Sequence, residues 1–91
     1  MKAYKERLIK AIVEEATGSK VVSLREVANA AGINHIPQHD VLDILKSVKK
    51  ALPDYRPVQM LKTPNDSLFC SLTFLDKSLV FEDAPEVTTD A

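Results

Sequence analysis

The fold is decided by residues 23–52, SLREVANAAGINHIPQHDVLDILKSVKKAL. This stretch predicts a short helix, a glycine turn and a longer second helix. Ser23 and Glu26 have the spacing of a capping box, in which each side chain bonds the other residue's backbone N–H, so a helix begins there. Small and aliphatic side chains then recur on one helical face, at Leu24, Val27, Ala28 and Ala31. Gly32 follows, and glycine enters the left-handed conformation that ends many helices without a steric penalty. The first helix is therefore expected over about residues 23–31.

The second helix of this stretch has two candidate starts. Asn34 could cap it, or Pro37 could be its first residue. An apolar stripe then follows at helical spacing, formed by Val41, Leu45, Val48 and Leu52 and widened by Leu42 and Ile44. Pro53 cannot continue the helix with a backbone hydrogen bond of its own. These features predict a helix over about residues 37–52.

The pattern Leu24-x-x-Val27-Ala28-x-x-Ala31-Gly32-Ile33 resembles the first helix and turn of bacterial helix-turn-helix regulators, including the LacI-like and winged-helix families. The resemblance implies that the small alanine packs two helices together, that the glycine makes the turn and that the next helix enters the major groove of DNA. This chain departs from the families at Asn34, where they usually have a hydroxyl residue. Residues 35–40 also lengthen the turn.

The residues before this stretch predict a supporting helix and a short strand. Apolar side chains at Tyr4, Leu8, Ile12 and Ala16 recur every four residues, so a helix is expected over about residues 2–17, ended by Gly18. Its basic residues (Lys2, Lys5, Arg7 and Lys10) could touch phosphates, although a solvated face is the simpler interpretation. β-Branched residues near 20–22 predict a strand, which favours a winged helix over a plain helical bundle.

The residues after it predict a two-stranded hairpin. Residues 53–57 have the composition of a loop, and strands are expected over about 58–62 and 68–75, joined by a turn. In the second strand one alternating set, Leu68, Cys70, Leu72 and Phe74, is expected to face the core. The predicted fold class is α+β, a small winged helix-turn-helix with three helices, a short strand and a β-hairpin.

Length and charge indicate one domain with an acidic tail. The chain has 91 residues, which suffices for one modest core. Residues 1–75, the expected winged-helix domain, carry 11 Lys and Arg against 8 Asp and Glu. Residues 76–91 carry one lysine and five acidic residues, together with a short apolar island at Leu79, Val80 and Phe81. The folded part is therefore mildly basic, although the formal net charge is −1.

Several classes of chemistry have little support in the sequence. Cys70 is the single cysteine, so an intrachain disulfide is excluded and a buried, reduced thiol is expected. His35, His39 and Asp43 have the spacing of metal ligands on one helix, but Pro37 interrupts that helix and no other ligand cluster supports a site. No catalytic site, cofactor or metal is expected. The absence of a long apolar run or a signal-peptide pattern predicts a cytoplasmic protein that does not cross a membrane.

We expect a transcription regulator or a plasmid or phage regulator that binds double-stranded DNA, acting as a homodimer with two half-sites. The residues expected at the DNA are Asn34, Gln38, His39, Lys46 and Lys50 around the second helix, with Arg56 and Lys62 on the wing. Asn34 and Gln38 could contact adenine, and the lysines could contact phosphates. The alternative is a winged-helix module, an inhibitor or an assembly subunit, that binds a protein partner through the second helix or through Leu79, Val80 and Phe81. Asp40 and Asp43, which would repel phosphates, favour this alternative.

Overall fold

The computed structural model describes residues 3–60 and 67–79. Along the chain the elements are α1 Ala3–Ala16, β1 Val21–Ser23, α2 Leu24–Ala30, α3 Gln38–Ala51, β2 Tyr55–Gln59, α4 Leu68–Ser71 and β3 Leu72–Asp76. The three strands form an antiparallel sheet in the order β1-β3-β2. This α+β layout, with α1, α2 and α3 preceding two neighbouring antiparallel strands, is that of a winged helix, as the sequence predicted.

The helices pack on one another around a single apolar core. The middle parts of the predicted stripes of α1 and α3 are buried, and the loop residue Ile36 joins them. The other stripe residues are half-buried and pack against the core: Tyr4, Ala16, Leu42 and Leu52. Fully buried side chains from the helices include Leu8, Ile12, Leu24, Ala28, Val41, Ile44, Leu45 and Val48. None of the helices within residues 3–60 and 67–79 is long and apolar enough to cross a membrane.

Hydrogen bonds at both ends fix the length of α2. The Ser23 side chain accepts the Glu26 backbone N–H at 3.3 Å, which confirms the predicted cap. At the other end Gly32 has φ +78° and donates to the Asn29 carbonyl, while Ile33 donates to the Ala28 carbonyl at 2.8 Å. This pair of bonds is a Schellman motif, so the glycine turn was predicted correctly. Ala31 lies beyond the last helical residue and is exposed, so its expected place on the buried face was wrong.

Replacing Gly32 by alanine is expected to destabilise the domain by about 1–2 kcal/mol, because a Cβ is strained at positive φ. No atom lies within 4 Å of a Cβ built at Gly32 or at Gly18, and Gly18 does not have a positive φ. Gly18→Ala is therefore the matched control, expected to be neutral or up to about 1 kcal/mol stabilising. Chemical denaturation of both variants measures the difference, and equal stabilities would contradict the backbone explanation.

Helix α3 begins at Gln38, next to Pro37, which was the later of its two candidate starts. Pro37 is the N-cap and its carbonyl accepts the backbone N–H groups of Asp40 and Val41 at 3.0 Å. Asn34 is exposed in the preceding loop and does not cap the helix, so that alternative was wrong. The long turn predicted between α2 and α3 is present, and the buried Ile36 holds it against the core.

The strand bounds expected for the hairpin were wrong in two places. Strand β2 starts at Tyr55, three residues before the expected start, because an edge strand tolerates Pro57. The expected second strand is divided: Leu68–Ser71 is a helical turn, in which the Ser67 side chain accepts the Cys70 N–H at 3.3 Å, and β3 follows. The turn buries Phe69 and leaves Leu68 and Cys70 half-buried, the reverse of the expected alternation.

Strand β3 is the middle strand and is buried on both of its faces. Leu72 and Phe74 belong to the core shared with the helices, as predicted, and Thr73 and Leu75 on the other face are buried as well. The hydrogen-bonded turn after β3 continues to Leu79. Lys62, most of the predicted wing turn, and Val80 and Phe81 of the apolar island lie outside the described residues.

Candidate nucleic-acid interface

Helix α3 has a buried inner face and a polar outer face. Asp40, Val41, Ile44, Leu45 and Val48 are buried. The opposite side, which we call the outer face of α3, consists of the exposed Gln38, His39, Lys46, Lys49 and Lys50 with the half-buried Leu42 among them. Spacings of three, four and seven residues place these side chains on one side of a helix. The outer face is therefore polar and basic over the length of α3.

A polar network joins the inner side of α3 to α1. Asp40 is 2% exposed, and its carboxylate accepts hydrogen bonds from the Tyr4 hydroxyl and, at 3.1 Å, from the Lys5 ammonium. Lys5 also donates to Asp43 at 2.9 Å. Lys5 is thus buried between two carboxylates and is not part of a solvated basic face on α1. The two aspartates of α3 are held by α1, and the repulsion of phosphates expected from them is reduced.

The network shifts the pKa values of its members. The two hydrogen bonds to Asp43 and Asp40 raise the pKa of Lys5, and the bond from Lys5 lowers the pKa of Asp43. Burial, followed by the hydrogen bond to Asp40, raises the pKa of Tyr4 to about 12. Asp43 therefore contributes stability above its unfolded pKa, which is lost in acid as pH falls through the lowered folded pKa. Lys5 and Tyr4 contribute stability below their unfolded pKa values, which is lost as pH rises.

Titration of the two tyrosines provides a direct check of the network. Tyr4 and Tyr55 are the only tyrosines and tryptophan is absent, so phenolate absorbance reports these two groups alone. Burial also raises the pKa of Tyr55. We expect both to ionise above pH 10, with one near pH 12, and folding stability to fall over that range. In Tyr4→Phe the transition near pH 12 should disappear. If Tyr4→Phe instead removes a phenolate that forms at an ordinary pKa near 10, the network is contradicted.

Beside the end of α3 lies a depression rich in cations. It is lined by Lys49, Pro53, Tyr55, Arg56, Pro57 and Lys77, and we call it the basic depression. Lys49 also belongs to the outer face of α3, so the two surfaces are continuous. Among the described residues that line the depression none is acidic. Positive charge therefore extends from the outer face of α3 to β2 and to the turn after β3.

Most of the residues predicted at the DNA lie on this connected surface. Gln38, His39, Lys46 and Lys50 share the outer face of α3, and Asn34 is exposed in the loop before it. His39 Nε2 lies 3.4 Å from the buried carboxylate of Asp40. Arg56 is half-buried in β2 and lines the basic depression, and Lys62 lies outside the described residues. The described members of the predicted set thus lie on the same side of the domain, with Arg56 furthest from the start of α3.

Sequence reasoning missed two basic residues. Lys77 was assigned to the acidic tail, yet its backbone N–H donates to the Asp54 carbonyl at 2.8 Å, beside Arg56. The β2–β3 register, which pairs Tyr55 with Asp76, brings Lys77 there, and a correct register would have found it. The partners of Lys5 are separated from it by more than thirty residues in the chain, and spacing along one helix does not reveal them.

The remaining candidate ligands are separated or differently placed. His35 is in the loop before α3, with its ring edge-on to Phe69 at 6.0 Å between centroids, so it does not share a helix with His39 and Asp43. Within residues 3–60 and 67–79 no group of three His, Cys, Asp or Glu side chains is arranged to hold a metal ion. Cys70 is half-exposed, contrary to the buried thiol expected, because it lies on α4.

Comparison of the chain with protein-family models, with curated proteins and with solved structures gives no match.

Proposed function

We propose that this protein binds double-stranded DNA through the outer face of α3. The observation that carries the proposal is the separation of charges on that helix. Asp40 is buried and Asp43, 48% exposed, is paired with Lys5 on α1. Gln38, His39, Lys46, Lys49 and Lys50 remain on the exposed side.

The side chains of the outer face suit the two kinds of contact that such a complex needs. Gln38, and Asn34 in the loop before it, can bond the N6 and N7 groups of adenine in the major groove. Lys46 and Lys50 lie further along the helix and suit backbone phosphates, which set position and affinity. We expect a homodimeric regulator, since one such module makes few contacts and two half-sites multiply affinity.

Fluorescence anisotropy of a labelled duplex, titrated with protein at several salt concentrations, tests the proposal. We expect binding that weakens steeply with salt, because each neutralised phosphate releases counterions. A duplex of random sequence should bind more weakly than one selected for binding, because base contacts add to the phosphate contacts. Absence of binding to any duplex at low salt would overturn the proposal.

The second candidate function is protein binding through the same face. Leu42 favours it, because this half-buried leucine packs partly against the core and leaves the rest of its side chain among the exposed residues of the outer face of α3, where arginine is absent. A partner would cover Leu42 and leave the lysines at a solvated rim. Leu42→Ala separates the two functions: it should leave duplex binding within about threefold and weaken a protein complex by tenfold or more.

A further inference from the structure

The basic depression is a surface that the sequence did not reveal. Three cations reach it from three separate elements: Lys49 from the last turn of α3, Arg56 from β2 and Lys77 from the turn after β3. On the sheet, Arg56 pairs with Leu75, which makes Lys77 its diagonal neighbour. Diagonal positions are about 7–8 Å apart, within reach of long side chains. The three charges therefore converge on one place.

Among the described residues, no carboxylate forms an ion pair with the three cations of this cluster. The Asp76 carboxylate accepts the Ser78 backbone N–H at 2.8 Å and lines a different depression, with Lys20, near the end of α1. Asp54 is exposed and contributes its backbone carbonyl to Lys77. Among the described residues Arg56 has an Nε atom that is buried and lacks a hydrogen-bond partner. A buried guanidinium nitrogen without a partner is costly, and an anion that reached it through a small shift of the half-buried side chain would supply the missing acceptor.

The walls of the depression are held in place before any ligand arrives. The Tyr55 hydroxyl lies 2.6 Å from the Ser19 carbonyl and 2.8 Å from the Ala16 carbonyl, so its single hydrogen anchors the ring to the turn after α1. Pro53 and Pro57 have fixed φ angles. The bond from Lys77 to Asp54 ties together the turns at the two strand ends. Such a site loses little conformational freedom on binding.

We infer that the basic depression binds a backbone phosphate of the duplex engaged by α3. This inference rests on the proposed function. A phosphate fits because the guanidinium of Arg56 can bond two of its oxygens side by side, while the two lysines add point charges. Lys49 joins the depression to the outer face of α3, so one strand can pass from the helix to β2. The DNA contact then includes the outer edge of the sheet as well as the helix.

Salt-dependent duplex binding of a charge-neutral variant tests the inference. Arg56→Gln with Lys77→Gln keeps the side chains long and removes two charges from the depression, while Lys49 on the outer face of α3 is unchanged. We expect the slope of log affinity against log salt to fall by about one, the value for one phosphate, with a loss of roughly tenfold in affinity at moderate salt. Lys10→Gln with Lys20→Gln removes two exposed lysines elsewhere, so it is the matched control and should bind like wild type. Circular dichroism checks that each variant is folded.

Two results separate this inference from the proposed function. If the Arg56→Gln, Lys77→Gln variant retains the wild-type slope and affinity while changes at Lys46 and Lys50 abolish binding, the phosphate site is overturned and the proposed function stands. If wild-type protein binds no duplex, both fail.

A second experiment distinguishes a backbone phosphate of DNA from free inorganic phosphate as the ligand of the basic depression. The nuclear magnetic resonance signals of the Arg56 Nε–H and of the Lys77 backbone amide should shift when duplex is added. We expect these shifts at a lower concentration of duplex than of inorganic phosphate. Shifts with inorganic phosphate and none with duplex would overturn the assignment to nucleic acid.

Discussion

Reversing two charges on the outer face of α3, by Lys46→Glu with Lys50→Glu, is expected to weaken duplex binding by a hundredfold or more at low salt. Both lysines are exposed and lie one helical turn apart, so they face the same stretch of backbone. Each reversal removes a phosphate contact and introduces repulsion, and the salt slope should decrease by about two. Anisotropy titrations at several salt concentrations measure affinity and slope together.

The same change of net charge elsewhere provides the control for this pair. Lys10 on α1 and Lys20 before β1 are both exposed, and Lys10→Glu with Lys20→Glu alters the total charge equally. If the effect comes from the outer face of α3, this control should lose no more than a fewfold in affinity, through the general field of the protein. Equal losses in both pairs would mean that net charge alone governs binding, and would contradict a defined interface.

Removing the carboxylate of Asp40 is expected to have the largest effect on stability. Asp40→Ala leaves the Tyr4 hydroxyl and the Lys5 ammonium without their buried acceptor at the α1–α3 contact. Lys5 keeps Asp43 as a partner at 2.9 Å, but the Tyr4 hydroxyl loses its acceptor and the buried ammonium loses one of its two carboxylates. For a domain of this size we expect the melting temperature to fall by about 10 °C or more. Asp54→Ala is the control: it removes an exposed carboxylate and should change the melting temperature by only about 2 °C.

A double replacement shows whether the stability lost in Asp40→Ala comes from the buried ammonium of Lys5, which is left with one carboxylate. Lys5→Met with Asp40→Leu replaces the ion pair by apolar side chains and should recover much of the lost stability, since apolar replacements of buried pairs are often tolerated. The expectation fails if Asp40→Ala melts like Asp54→Ala. It also fails if the double variant is less stable than Asp40→Ala, because the network would then act through something other than pairing.

Local patterns in the sequence predicted the helices and their order. The cap at Ser23, the turn at Gly32 and the stripes of α1 and α3 each depend on residues within a few positions of one another, and all are present. The strand bounds were less accurate. Pro57 suggested a loop, and only its place in an edge strand makes it compatible with the sheet. The cap at Ser67 that begins α4 is also local, but the apolar run that follows it was interpreted as a strand.

The candidate site was predictable where it depends on helical spacing and unpredictable where it depends on tertiary contacts. Lys46 and Lys50 follow from the pattern of α3. The burial of Asp40 against Lys5, which reduces the repulsion of phosphates expected from this carboxylate, joins residues 35 positions apart. Lys77 lies beside Arg56 only through the pairing of β3 with β2. A single sequence does not supply such long-range pairs.

The most direct test of the central claim is chemical-shift mapping of the labelled protein during titration with a duplex. If the outer face of α3 binds DNA, the backbone signals of Gln38, Leu42, Lys46 and Lys50 should shift most, and those of α1 residues distant from α3, such as Ala11, should stay unchanged. Absence of shifts at low salt, or shifts confined to the α1–α2 side of the domain, would contradict the account.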